Sequence, residues 1–192
     1  MSAIYFDHIN GISKILNDEV TKNKIYLAAD LLAETIINGG CIYVAGNGGS
    51  AAVANHLVCD YLKGIQLETK LYPRVQSLSS NIELITAIAN DHGYSQIFLK
   101  QIEGRIESRD LIILISSSGT SENIKNICKY LNSKKLNYVS IFGFDSSKHL
   151  NSQASIQIHI NSQDYGVIED ISQIIMHLIK KLAIQKLNSN EF

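Results

Sequence analysis

Five short apolar runs constrain this chain more than any other feature: "CIYVAG" (41–46), "RVQSLS" (74–79), "LIILIS" (111–116), "NYVSIFGF" (137–144) and "IQIHI" (156–160). Most are continuous rather than alternating, the pattern of parallel strands covered on both faces. Between them lie stretches with helical spacing over 50–63, 81–89, 94–107 and 121–133. Parallel neighbours need a crossover of about a dozen residues, so this alternation predicts an α/β chain with a five-stranded parallel sheet flanked by helices. Two helical segments precede the first strand, one of them "YLAADLLAETIING" (26–39), which stops at Gly39–Gly40. A long helix over 167–187 follows the last strand, with Ile171, Ile174, Ile175, Leu178 and Leu182 on one apolar stripe. No internal repeat or linker-like stretch divides the chain. It reads as one domain over 1–192, with an N-terminal helical segment (1–40) and an α/β sandwich (41–192) ending in the long helix.

Composition narrows the partners. The chain is 45% hydrophobic and 18% charged with a formal net charge of -1, which suits a compact globular protein and leaves no electrostatic footprint for nucleic acid or an anionic membrane. No apolar run approaches the roughly 18 residues of a membrane span. The opening "MSAIYFDHIN" lacks the basic and apolar regions of a secretory signal, so a cytoplasmic location is expected. Cys41, Cys59 and Cys128 form no CxxC pair and read as reduced thiols.

Two turns carry the candidate chemistry. "GNGGS" (46–50) sits where the first strand ends and a helix begins, the place where open α/β sheets bind ligands. Gly48 and Gly49 let backbone approach a ligand, and Ser50 is placed to cap a helix whose free N–H groups favour an anion. A tight turn with a capping serine explains the same residues. Neither GxGxxG nor GxxxxGK[ST] occurs, which disfavours a dinucleotide cofactor and an ordinary nucleotide triphosphatase. The second turn repeats the design: Ser116, Ser117, Ser118, Gly119, Thr120 and Ser121 join a buried strand to a helix. Hydroxyls and backbone amides at a helix N-terminus suit a phosphate monoester without lysine or arginine. On the helix after the first turn, His56 and Asp60 stand at i and i+4, hence on one face. That spacing fits shared chemistry or a polar pair on a solvated face.

The pair "GNGGSAA" and "ISSSGTSEN", with "AIANDHGY" (87–94) between them and the long C-terminal helix after, resembles the sugar isomerase (SIS) domain family. Within it the match is to the phosphoheptose isomerase subgroup. The resemblance implies a flavodoxin-like sheet and an aldose–ketose isomerase that takes sedoheptulose 7-phosphate to glycero-manno-heptose 7-phosphate through an enediol. It implies a cytoplasmic homotetramer with sites at subunit interfaces, feeding bacterial surface heptose for lipopolysaccharide or capsule.

The same resemblance assigns residues. Asn47, Gly48, Gly49 and Ser50 hold the sugar, Ser116, Ser117, Ser118 and Ser121 hold the phosphate, and Asn90 and Asp91 line the sugar pocket. Asp60 and His177 move protons. One zinc per subunit is implied, held by His56, Asp60, Glu169 and His177. Two positions depart from the family: Asp60 replaces a glutamate, and Glu169, which also borders the substrate, replaces a glutamine. Eight helical residues separate Glu169 from His177, about 12 Å, so Gln173 is an alternative ligand one turn before His177. Where the family has an arginine after the carboxylate, this chain reads "DYLKG" and leaves Lys63 as the stand-in. His8, His92, His149 and His159 show no partner pattern. Two other readings follow from the departures: an isomerase for a different phosphosugar, and a non-catalytic SIS-domain adaptor like the DnaA initiator-associating protein.

Overall fold

The computed structural model describes residues 3–144 and 154–189, so His149 lies outside the described residues. Five strands, β1 (Cys41–Gly46), β2 (Arg74–Ser77), β3 (Leu111–Ser116), β4 (Tyr138–Phe142) and β5 (Ile156–His159), form one sheet in the order β2-β1-β3-β4-β5. Every pairing is parallel, with Ile42 opposite Leu111 and Ile112 opposite Tyr138 setting the central registers. The expected fold is the observed one.

Among the described residues seven helices surround the sheet: α1 (Ala3–Leu16), α2 (Glu19–Ile37), α3 (Gly49–Thr69), α4 (Ile82–His92), the single turn α5 (Leu99–Ile102), α6 (Glu122–Lys134) and α7 (Tyr165–Ser189). Local chemistry sets several ends. The Asp18 carboxylate accepts from Thr21 N at 2.9 Å and starts α2, and Asn81 accepts from Leu84 N at 2.9 Å to start α4. Lys70 and Lys135, both left-handed, close α3 and α6.

Alternate strand residues feed two cores. Ile42, Val44, Ile113, Ile115, Val139 and Ile141 pack against α2, α3 and α7. Tyr43, Ala45, Ile112, Leu114 and Tyr138 face the other way, against residues of α4 to α6 such as Ile88, Phe98 and Ile127. Burial on both faces is why the strands read as continuous apolar runs.

Three expectations need correction. The helix expected over 94–107 is instead a 3-10 turn at Tyr94–Gln96 and the one-turn α5, and it stops short of residue 107 where Gly104 takes a positive φ of 79° and turns the chain. The first crossover helix runs well beyond residue 63, to Thr69. The buried stripe of α7 is also rotated: Ile171 and Ile175 are buried as expected, but Leu178 is exposed and Met176 and Ile179 are inside. Among the described residues no helix is long and apolar enough to cross a membrane.

Candidate active site

The strand order reverses between β1 and β3, and the crevice at their carboxyl ends is where such sheets bind ligands. The two glycine- and serine-rich turns meet there. Gly46, the last residue of β1, has no room for a side chain, because a Cβ would lie 2.6 Å from the Ser50 carbonyl oxygen. Gly48 takes a φ of 55° and is itself the N-cap of α3, with no side-chain cap. Ser50 therefore does not cap the helix as expected. It lies within the first turn, buried, because α3 begins one residue earlier, at Gly49.

The second turn is tied to itself. Ser116 Oγ accepts from Gly119 N at 3.1 Å, and Ser118 Oγ accepts from the Thr120 hydroxyl at 2.9 Å. Ser117 is anchored through its carbonyl, which accepts from Gly143 N at 3.1 Å.

Between the turns lies a cavity of about 240 Å³. It is lined by Asn47, Gly48, Gly49 and Ser50 from one side and Ser116, Ser117, Ser118 and Ser121 from the other. Tyr165 and Glu169 of α7 complete it. Among the described residues no lysine or arginine lines the cavity, so from these residues an anion there would draw on hydroxyls, backbone amides and the amino ends of α3 and α6.

Asn47 also borders a neighbouring cavity of about 350 Å³ with Tyr94, Ser95 and Asn123. Its amide makes a reciprocal pair with Asn123, both bonds 2.9 Å, and its Oδ1 accepts from the Tyr94 hydroxyl at 3.0 Å. Asn123 is buried and binds the two turns together. Sequence reading missed it, although an asparagine two positions after a serine-rich turn was the available signal.

The second constellation stands where α3 crosses α7. Tyr61 anchors the crossing by donating to the Met176 carbonyl at 3.1 Å. His56 and Asp60 project from α3 towards Gln173, His177 and Lys180 of α7. His177 Nε2 lies 3.2 Å from His56 Nε2, 3.2 Å from Gln173 Nε2 and 3.8 Å from Asp60 Oδ2. One ligand atom from each of His56, Asp60 and His177 falls within 4.8 Å of the others, a spacing that can hold a metal ion. Asp60 Oδ2 is buried with no hydrogen-bond partner among the described residues, and its other oxygen accepts from Lys180 Nζ at 2.7 Å. Two imidazole nitrogens and one carboxylate oxygen, with that oxygen unsatisfied, fit zinc.

Glu169 is not in this group. Its carboxylate rests on Gly49, so close that a Cβ there would overlap it. The eight-residue separation from His177 keeps the two apart on one straight helix. Gln173 takes the place beside His177 that was assigned to Glu169.

Other expected residues are placed elsewhere. Asn90 and Asp91 are exposed at the end of α4, bonded to each other at 2.9 Å, and line neither cavity. Lys63 is exposed. His8 pairs with Asp170 at 2.9 Å, and His159 binds the Phe144 carbonyl at 2.6 Å while stacking on Phe142. His92, the last residue of α4, is exposed.

Comparisons with known proteins place the chain among its relatives. The SIS domain family model matches residues 4–143. The phosphoheptose isomerase of Coxiella burnetii is 30% identical over 171 residues, covering 88% of this chain and 85% of that protein. That of Helicobacter pylori is 30% identical over 177 residues, covering 91% and 89%. The solved structure of a phosphoheptose isomerase from Francisella tularensis superposes with a TM-score of 0.85 at 26% identity, covering 97% of this chain and all (100%) of that one.

Proposed function

The chain belongs to the SIS-domain family, in its phosphoheptose isomerase subgroup, and from that premise we propose that it converts sedoheptulose 7-phosphate to glycero-manno-heptose 7-phosphate in the cytoplasm of a bacterium that builds surface heptose. The observation that carries this reading is the pairing of two sites on the same two helices. The serine-lined cavity lies at the start of α3 and α7, and the His56–Asp60–His177 group lies further along both.

The chemistry divides accordingly. The turns hold the phosphate through hydroxyls and amides, with Asn47 and the glycine backbone against the sugar. Asp60 removes the proton from the carbon beside the ketose carbonyl, giving an enediol, and returns it to the neighbouring carbon. His177, whose Nε2 lies 3.2 Å from that of His56, moves the balancing proton between the two oxygens. Zinc held by His56, Asp60 and His177, one per subunit, supplies Lewis-acid stabilisation of the developing negative charge when bound. Glu169, against Gly49, is a negative charge at the edge of an anion cavity and orients the sugar end rather than the phosphate.

Incubating the purified protein with sedoheptulose 7-phosphate and following aldoheptose phosphate by NMR tests the proposal. Turnover supports it, and turnover of another ketose phosphate alone would move the substrate but keep the reaction. The adaptor reading is favoured by one observation, the ion pair that occupies Asp60 Oδ1. Absence of turnover with every phosphosugar, together with capture of a protein partner, would establish that reading instead.

A further inference from the structure

The cation that reaches Asp60 comes from α7, not from the "DYLKG" stretch. Lys180 is only 9% exposed, and its Nζ donates to Asp60 Oδ1 at 2.7 Å. Gly64, one turn beyond Asp60 on α3, makes the room: a Cβ there would stand 3.0 Å from Lys180 Nζ and 3.4 Å from its Cδ. A buried ammonium needs a partner, and a buried carboxylate equally so. The pair therefore divides Asp60 in two. Oδ1 is neutralised by a fixed cation, while Oδ2, with no hydrogen-bond partner among the described residues, lies 3.8 Å from His177 Nε2.

We propose that Lys180 is a positioning residue that acts through Asp60, its ammonium competing with a divalent metal for that carboxylate so that the His56–Asp60–His177 group holds metal weakly. The inference rests on reading that group as the metal-bearing centre of the isomerase. Two physical effects act in the same direction. A unit positive charge stands 2.7 Å from the carboxylate that would ligate a divalent cation, in a half-buried setting where screening is poor. The engaged Oδ1 also leaves Asp60 only one oxygen to offer.

Zinc alone, added to the metal-free full-length protein against a chromophoric chelator and without substrate, tests the competition. Lys180→Gln keeps a hydrogen-bond donor for Oδ1 but removes the charge, and Lys180→Met removes both. Each should bind zinc at least about tenfold tighter than the unsubstituted protein, a conservative figure for loss of one nearby charge. Lys180→Arg should stay weak. If Lys180→Met fails to fold, Lys180→Gln decides the matter, because it does not leave Asp60 without a partner. A purely structural lysine would lower the melting temperature on substitution without tightening zinc. Neutral variants that bind zinc no tighter, or zinc bound by none of the proteins, would overturn the proposal. Phosphosugar turnover by the unsubstituted protein is read separately. Turnover with no difference in zinc affinity removes the Lys180 proposal alone, whereas tightened zinc without turnover removes the isomerase reading and leaves the competition standing.

Discussion

The proposed chemistry turns on Asp60, and the surroundings of this residue make its length testable. Its carboxylate is fitted between Lys180 Nζ at 2.7 Å and His177 Nε2 at 3.8 Å. Asp60→Asn keeps an oxygen for Lys180 but abolishes the proton acceptor. Turnover should fall by roughly two to four orders of magnitude, the scale of general base catalysis, with KM little changed because the two serine turns are untouched. Retained turnover would show that Asp60 is not the base. Asp60→Glu restores the subgroup's residue but pushes the carboxylate about 1 Å into a space sized for aspartate, and displacements of that order can cost about a hundredfold. A site that had lost its activity would gain or stay silent on the same change, so steady-state kinetics of this one variant separate the two cases.

At the scale of elements, the β1–α3 junction depends on one close approach. A Cβ at Gly46 would meet the Ser50 carbonyl carbon at 2.7 Å as well as its oxygen, and backbone cannot move aside as a flexible side chain can. Gly46→Ala should cost about 1–3 kcal/mol by urea unfolding, the usual range for overpacking, and should raise KM as the turn shifts. The need for small residues in "GNGGS" was legible in the sequence, whereas the packing reason for Gly46 depends on where Ser50 folds back. The same division runs through the site. Strand positions, the two turns and the i,i+4 pair of His56 and Asp60 follow from local periodicity. Lys180 and Asn123 do not, since a lysine amid isoleucines and an asparagine in a first helical turn acquire meaning only when another element meets them. Glu169 was drawn into the metal group by its aligned position, and the straightness of α7 keeps it out. Burial acts on the elements too. Cys128, on the buried face of α6 beside Tyr138 of β4, has its thiol pushed from an ordinary 9.0 up to about 12 by desolvation. The folded chain then keeps a proton that the unfolded chain releases, so this stability is fully present below pH 9 and is lost between about pH 9 and 12. The melting temperature should fall across that window, and less steeply in Cys128→Ala. Tyr138, raised by the same burial, contributes with the same sign.

The whole molecule, taken as a single chain, leaves too much apolar surface uncovered. No residue of α1 is buried, and Ile4 is 79%, Tyr5 60% and Ile9 48% exposed. Val20, Tyr26 and Leu27 continue that surface along α2. A helix of 14 residues is marginal by itself in water, so such a face calls for cover. We expect a closed homo-oligomer, a tetramer by analogy with the subgroup, and light scattering that gives a single-chain mass at every concentration would refute it. Phe6→Glu with Ile9→Glu should lower the mass. Assembly also bears on the two residues the single chain leaves outside its cavities. Asn90 and Asp91 are exposed at the tip of α4, while Tyr94 and Tyr165, at the mouths of the two cavities, are 58% and 59% exposed, so both openings can receive a neighbour. If the α4 tip of one subunit completes the site of another, Asp91→Asn and Asp60→Asn should each be nearly inactive alone. Dissociated, mixed and reassembled, they should recover part of the original turnover, because some sites then combine an intact Asp60 with an intact Asp91. No recovery from a mixture shown to contain both chains in one oligomer would place Asp91 in its own subunit's site or outside the chemistry altogether.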